Sequence, residues 1–389
     1  MKPAIVLGMR VNGLGVMRGL GRKRIEAYGI DKDDGIAFSS KYCKRKYLFA
    51  DPEVYPTECL NQFIELGKSL GDKAVLLPTS DPYLAFLSKY RDELSQYYLF
   101  NIPDATILEN MLDKRNQYKL AARLGIAVPK TISPERLDDL KEDSISYPAI
   151  IKGVFSKKWS CAFDANGFVA YSYDELSEYF KQALDKNVEV IIQEMIIGPN
   201  KNHYSVHAFY SKMKELLEIS SFQRLRQFPI DMGDGTYIVI VNKPELAALG
   251  QRFLEAMGYT GIANIQFKYD ERDSQFKLIE LNPRIGMANI LHTCAGVNTA
   301  YNYYLDCIGE KVAPALNPRE NTSWLNLTGD ISSFFANRKR GDLSFTKWIR
   351  SVFQADCFPY YARDDLRPIC KRYVTYTKKW IKRKLGLKK

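Results

Sequence analysis

The stretch Ile279-Glu280-Leu281-Asn282-Pro283-Arg284 places an acid, an amide and an arginine at every second position. In an extended strand that period puts all three side chains on one face. Glu280 brings a hard anionic oxygen, Asn282 a neutral carbonyl oxygen and Arg284 a planar fork for phosphate. Mg²⁺ prefers such oxygen ligands and keeps part of its shell as water and substrate phosphate. A solvated strand end could carry the same letters, so the meaning of the hexapeptide rests on its neighbours.

Upstream, Gly261-Ile262-Ala263-Asn264-Ile265-Gln266-Phe267-Lys268-Tyr269 alternates as a strand does. A polar turn, Asp270-Glu271-Arg272-Asp273-Ser274-Gln275, separates it from Phe276-Lys277-Leu278-Ile279, where alternation resumes. The pattern predicts a hairpin. Antiparallel pairing brings Gln266 opposite the Glu280 and Asn282 face, giving three oxygen ligands from two adjacent strands.

Through Gln266, Glu280, Asn282 and Arg284 the chain resembles the ATP-grasp superfamily, whose last metal-binding segment is an acid or Gln followed by Glu-x-Asn-x-Arg. The run from Asn264 to Arg284, with its Gln variant, is similar to the carbamoyl-phosphate synthetase branch. The resemblance implies that Gln266, Glu280 and Asn282 hold Mg²⁺ (or Mn²⁺) and that Arg284 is catalytic. It implies that Lys152, closing the short apolar strand Tyr147 to Gly153, lies over the phosphates of ATP. Val188 to Gly198 resembles the hinge strand, so that Gln193, Glu194 and the backbone of Met195, Ile196 and Ile197 would hold the adenine. Lys114, opening a helix after Asp113, would reach the phosphates or the hinge.

Two departures stand out. The phosphate lid of the superfamily is commonly Gly/Ser-rich, whereas Val154-Phe155-Ser156-Lys157-Lys158-Trp159-Ser160-Cys161 offers Lys157 and Lys158 instead. The acid that usually meets the ribose is absent, and Asn202 and His203 stand there. Farther on, Arg224 and Arg226 are expected to share a strand face; the resemblance implies that a basic residue here meets an acyl phosphate or substrate carboxylate, a solvated arginine pair being the plain alternative.

The first hundred residues alternate strand and helix signals: Ala4 to Gly8 as strand, Leu14 to Tyr28 largely as helix, Lys73 to Pro78 as strand, then the helix start Thr79-Ser80-Asp81-Pro82. Gly8 to Gly15, with Asp31 about 20 residues on, invites a dinucleotide reading. Arg18 stands where the third glycine belongs, which argues against it. The resemblance instead assigns this layer to substrate binding, with Asn12, Ser80 and Asp81 as candidates that also serve as turn and cap residues.

The expected fold class is thus α/β and α+β: a Rossmann-like N-terminal domain over 1–105, a two-subdomain ATP-grasp domain over 106–310 (106–188 and 189–310), and a C-terminal extension over 311–389. At 389 residues, 46% hydrophobic and 26% charged, the chain can bury a sizeable core. No window is apolar enough to span a membrane and the first ten residues do not read as a signal peptide, so a cytoplasmic setting is expected. Seven cysteines without Cys-x-x-Cys spacing and three histidines argue against a disulfide framework or a zinc site. Cys161 and Cys294 are read as buried structural thiols rather than nucleophiles.

Nine of the eleven net positive charges lie in residues 370–389, where no acid occurs. If that tail is helical, Tyr373, Tyr376, Trp380 and Ile381 lie together with lysines and arginines opposite, which suits an anionic membrane surface at the inner face; nucleic acid is not expected. The order of elements, Tyr204-Ser205-Val206 after the hinge and Ala362 to Pro368 are similar to carboxylate-amine ligases that include D-aspartate ligases. That resemblance implies an enzyme joining a small-molecule carboxylate to an amine acceptor through an acyl phosphate. The alternative is a non-catalytic ATP-binding or membrane-associated interaction protein on the same scaffold.

Overall fold

Four consecutive apolar residues, Ala4–Leu7 (β1), are buried on both faces, as are Ala27–Asp31 (β2) and, across the sheet, five residues ending at Pro78. Such runs fit central strands covered by helices on either side. In the computed structural model, which describes residues 1–230 and 233–384 apart from the side chains at 156, 157 and 378–384, they join Cys43–Leu48 (β3), Ala74–Pro78 (β4) and Tyr98–Leu99 (β5). The resulting sheet is parallel throughout, in the order β3-β2-β1-β4-β5. The first helix spans Val11–Arg22 rather than 14–28, because Arg24 turns to a φ of 60° and the chain enters β2. Gly15 lets this helix approach the helix Asn289–Cys294; a Cβ there would come 2.0 Å from the Asn289 Oδ1.

The dinucleotide pattern has a structural explanation. The Asp31 carboxylate accepts from the Met9 N–H at 2.6 Å and the Lys32 N–H at 2.8 Å, so it fastens its own loop. Burial pushes its pKa up, and those two N–H groups work against that push. Arg18 is 3% exposed and ties the N-terminal layer to the C-terminal extension. Its Nε donates to Asp365 at 3.0 Å, and its NH1 and NH2 groups donate to the carbonyls of Pro359 and Tyr360. Beside it, Arg22 forms two 2.8 Å bonds with Asp364, which also accepts from the Tyr42 hydroxyl. The Arg22 guanidinium holds the Asp364 carboxyl well below the usual carboxylate range.

A small antiparallel sheet follows, built from Thr131–Ile132 (β6), Ala149–Gly153 (β7), Phe168–Ala170 (β8) and Val190–Glu194 (β9) in the order β6-β9-β7-β8. The stretch expected to be a glycine-poor lid is instead the helix Ser156–Phe163. Trp159 anchors it at 1% exposure, its ring tilted against Phe163 at 4.3 Å and edge-on to Phe168 at 5.3 Å. Gly153 makes room, since a Cβ there would lie 2.6 Å from the Trp159 Cβ.

The large sheet comprises His203–Tyr210 (β10), Leu216–Phe228 (β11), Asp234–Val241 (β12), Gly261–Asp270 (β13), Gln275–Asn282 (β14) and Ser323–Leu325 (β15), antiparallel in the order β14-β13-β10-β11-β12-β15. Its apolar face packs on the helices Pro244–Glu255 and Lys114–Arg123 through Ala208, Ile265, Phe253, Leu254 and Leu281. As an edge strand, β14 would leave backbone groups unpaired. The helix Lys114–Arg123 meets them: the Leu281 N–H donates to Gln117 Oε1 at 2.8 Å and the Tyr118 hydroxyl to the Ile279 carbonyl at 2.7 Å. The strand that carries the acid and amide is therefore held on both sides.

After β15 come the helices Leu327–Lys339, Phe345–Gln354 and Arg367–Lys384. Among the described residues, no helix is long and apolar enough to cross a membrane.

Candidate active site

The hairpin pairs as the alternation requires: Gln266 lies opposite Glu280 and Asn264 opposite Asn282. A register shift after Gln266 puts Phe267 opposite Leu278, which leaves Ile279 bulged, and Ile279 lines the cavity of the site. Arg284 falls beyond the strand, past Pro283. It still joins the same wall of a cavity of about 580 Å³ between the two smaller layers and the large sheet.

Three oxygen-bearing side chains, Gln266, Glu280 and Asn282, line that cavity. Lys114, 5% exposed, places its Nζ 3.7 Å from Glu280 Oε1. Lys152 enters from β7, its Nζ 3.1 Å from Gln193 Oε1 and 3.3 Å from the Tyr118 hydroxyl. Burial pulls the pKa of both lysines down, and the Glu280 charge pulls it back up. Two cations and one anion thus share a partly desolvated space, where charge interactions are stronger than in bulk water. The hard oxygen set fits Mg²⁺, and the lysines fit the phosphate oxygens of a nucleotide.

The strand-to-loop segment at the other end of the cavity is fixed by its own bonds. Glu194 accepts from the Lys130 N–H at 3.0 Å and pairs with Arg272 and Lys277 at 3.3 and 3.5 Å. The Met195 N–H donates to the Pro148 carbonyl at 3.0 Å, and Lys268 Nζ donates to the Ile196 carbonyl at 2.5 Å. Ile150 from the small sheet and Ile279 from the large sheet, with Met195 and Ile196, make this end apolar. A flat aromatic base is the kind of group such a slot receives.

Asn12, Asp81, Gln193, Glu194, Met195, Ile196, His203 and Arg224 also line the cavity. Asn12 donates to the Thr79 carbonyl at 3.0 Å, and Asp81 binds the Arg284 Nε at 2.5 Å, so the N-terminal layer closes one end. Arg224 donates to Gln227 Oε1 and the Gly233 carbonyl at 3.0 and 3.1 Å. Burial, with Arg224 and Lys268 nearby, holds the His203 pKa well below its ordinary value, so the ring is neutral.

Residues 190–328 match the family described as ATP-grasp in the biosynthetic pathway with Ter operon. The chain carries an ATP-grasp domain. It is 26% identical over 240 residues to a D-aspartate ligase of Enterococcus faecium, a match covering 59% of this chain and 57% of that one. It is 24% identical over 223 residues to the carbamoyl phosphate synthase large chain of Methanobrevibacter smithii, covering 55% of this chain and 19% of that one. The matched region therefore spans little over half of the first relative and about a fifth of the second. The ATP-grasp fold is shared with the biotin carboxylase domain of Hydrogenobacter thermophilus 2-oxoglutarate carboxylase, solved with MgADP, at a TM-score of 0.66 and 14% identity over 83% of this chain and 73% of that one.

Several expected residues do not reach this cavity. Arg224 and Arg226 do not share a face, because the β11–β12 register shifts between them. Arg226 points away, with two 2.8 Å bonds to the buried Asp330 and its guanidinium 4.3 Å from the Tyr237 ring centre. Asn202 donates to Glu271 at 2.9 Å, and Ile197 lines a separate cavity of about 770 Å³ together with Met195 and Gly198. Ser80 takes the N-cap position of the helix Asp81–Lys89 without a side-chain cap bond. Lys158 Nζ lies over the Phe155 ring at 5.2 Å, while the Lys157 side chain falls outside the described residues. Cys161 is exposed rather than buried, and Cys294 is partly buried; neither lines the cavity.

The cavity also uses Asn264, Lys268, Ser205, Asn166 and Asp234, which the motif reading passed over. Asn264 and Lys268 were recoverable, since they alternate with Gln266 along β13. Asn166 and Asp234 sit beside turns, where no period marks them.

Proposed function

We propose that this chain is an ATP- and Mg²⁺-dependent carboxylate-amine ligase that forms an amide through an acyl phosphate. Its substrates are a small-molecule carboxylate, such as the amino acid D-aspartate, and an amine on a cell-envelope precursor or glycan. The observation that carries this reading is the cross-strand pair Gln266 and Glu280, with Asn282, facing Lys114 and Lys152 in one cavity. The similarity to a D-aspartate ligase supports the choice of reaction.

In this reading Gln266, Glu280 and Asn282 hold the metal, and Lys114 and Lys152 hold the phosphates. Mg²⁺ held by these three residues would supply positive charge against the transferring phosphoryl oxygens. The substrate carboxylate attacks the γ-phosphorus of ATP and ADP leaves; the neutral amine then attacks the acyl carbon and phosphate leaves, taking the amine proton. Little acid-base work by the protein is needed, because positioning and charge stabilisation carry the reaction. Lys268 fixes the Ile196 carbonyl at the adenine end. Neutral His203 serves as a hydrogen-bonding partner near the ribose. Arg284 and Arg224 bracket the acyl phosphate, with Asp81 holding Arg284 in place until substrate shares its fork.

The setting we propose is cytoplasmic, with the basic helix Arg367–Lys384 resting on an anionic inner membrane face. Tyr373 and Tyr376 are 61% and 60% exposed on it, while Trp380 and Ile381 lie outside the described side chains. A screen of carboxylate and amine mixtures with MgATP, read by ADP release, tests the enzyme. ADP formation that requires both a carboxylate and an amine supports it. Absence of ADP with every mixture, together with absence of MgATP binding, would leave the non-catalytic interaction protein.

A further inference from the structure

The helix Phe345–Gln354 has no buried residue, yet it is strongly two-sided. Phe345, Ile349 and Phe353 recur every fourth position and form one stripe. Phe345 is 52% and Phe353 85% exposed. The neighbouring helix Leu327–Lys339 adds Ile331 and Phe335, also four apart, at 42% and 63% exposure. The two stripes adjoin, because the Phe335 and Phe345 rings lie 5.3 and 6.1 Å from the buried Phe334 ring.

This surface is mounted rigidly. Trp348 stacks on Phe334 at 4.7 Å and donates its Nε1 proton to Asp330 at 2.8 Å. Asp330 in turn binds Arg226 and Thr236 of the large sheet. Arg226 is thereby explained: it braces the helical pair against the sheet. An apolar patch held in place by a buried network, rather than covered by it, marks an interaction surface.

Its surroundings are basic. Arg338 and Lys339 continue the first stripe at its C-terminal end, and Lys347 and Arg350 lie on the polar side of the second, all exposed. Asp342 is the exposed acid between them among the described residues. On the helix Phe345–Gln354 the Phe stripe has Lys347 and Arg350 opposite, which suits a helix lying in the plane of an anionic lipid surface.

We infer that the paired helices 327–339 and 345–354 dock the chain on an anionic bilayer, with Phe335, Phe345 and Phe353 inserted at the headgroup boundary and the basic residues on lipid phosphates. This contact is separate from the basic tail and independent of the ligase reading, since MgATP binding is measured apart from it. The test is co-sedimentation of the full chain with vesicles of phosphatidylcholine alone or mixed in equal parts with phosphatidylglycerol. The wild type is expected to sediment with the mixed vesicles and weakly with phosphatidylcholine. Phe335→Ser combined with Phe353→Ser is expected to lower partition by about tenfold or more, with thermal unfolding and MgATP binding unchanged because both rings are exposed. Deletion of residues 370–389 is expected to leave a binding component that still depends on the two phenylalanines. Unchanged sedimentation of the double variant overturns the inference, as does complete loss of binding on the tail deletion alone. A wild-type dimer that the double variant dissolves, without vesicle binding by either, also overturns it, because a second copy would then cover this face.

Discussion

Replacing Asp365 by Asn removes one negative charge from a site where both partners are almost fully buried, the side chains of Arg18 and Asp365 being 3% and 0% exposed. One Asp365 oxygen accepts from Arg18 Nε at 3.0 Å and from the Ser40 hydroxyl at 2.7 Å, and the other from the Lys41 N–H at 3.0 Å. Either orientation of an asparagine amide turns an NH₂ group toward a donor, so at least one of these bonds is lost. Burial already pulls the Arg18 pKa down, and Asp365 opposes that pull. Breaking a buried pair from one side costs about 3–5 kcal/mol, because the remaining charge stays desolvated. Asp365→Asn should therefore cost about that much in denaturant-induced unfolding. Arg18→Met together with Asp365→Asn should cost less than the sum of the two single changes, with a coupling of about 1–3 kcal/mol. Hydrogen exchange in the single variant should rise first over residues 359–366, whose carbonyls Arg18 holds. A loss below about 1 kcal/mol, or strict additivity in the cycle, would refute the view that this pair fastens the C-terminal extension to the N-terminal layer.

Other expectations follow from the same contacts. Lys152→Met should weaken MgATP binding by about tenfold or more, read by calorimetry, while Lys152→Arg retains part of it because the charge remains. His292 is 1% exposed, and burial and then His207 hold its pKa far below the ordinary histidine value. The folded state thus keeps the ring neutral while the unfolded chain takes up a proton below about pH 6.5. Stability is full above that pH and falls as pH drops toward the folded pKa, by about 1.4 kcal/mol between pH 7.5 and 5.5 for this one group. His292→Phe, which keeps the stacking on His207, should remove that share of the pH dependence in unfolding curves at the two pH values.

Much of this was legible from residue periods. The alternation of Gln266 with its neighbours and the Glu280-x-Asn282 spacing read out the hairpin and its facing side chains, because strand geometry fixes both. Lys114 and Lys152 were found through a resemblance, since a lysine at a helix start or strand end has no local mark of burial. Arg226 was misplaced for a definable reason: a register shift inserts between it and Arg224, and such bulges depend on the partner strand. Helix Ser156–Phe163 was hidden because its anchor, Trp159, packs on Phe163 and Phe168 and needs Gly153 beneath it. The role of Arg18 was unreadable as well, since its partner Asp365 is 347 residues away.

The central claim is that Glu280, flanked by Gln266 and Asn282 and opposed by Lys114, forms the metal and phosphate wall of an ATP site. Calorimetric titration of MgATP into the wild type and Glu280→Gln tests it most directly. The account predicts saturable binding by the wild type, weaker binding when Mg²⁺ is withheld, and a loss of about tenfold or more in the variant, with the fold intact by circular dichroism. Equal MgATP affinity in the two proteins, or absence of binding by a folded wild type, would contradict it.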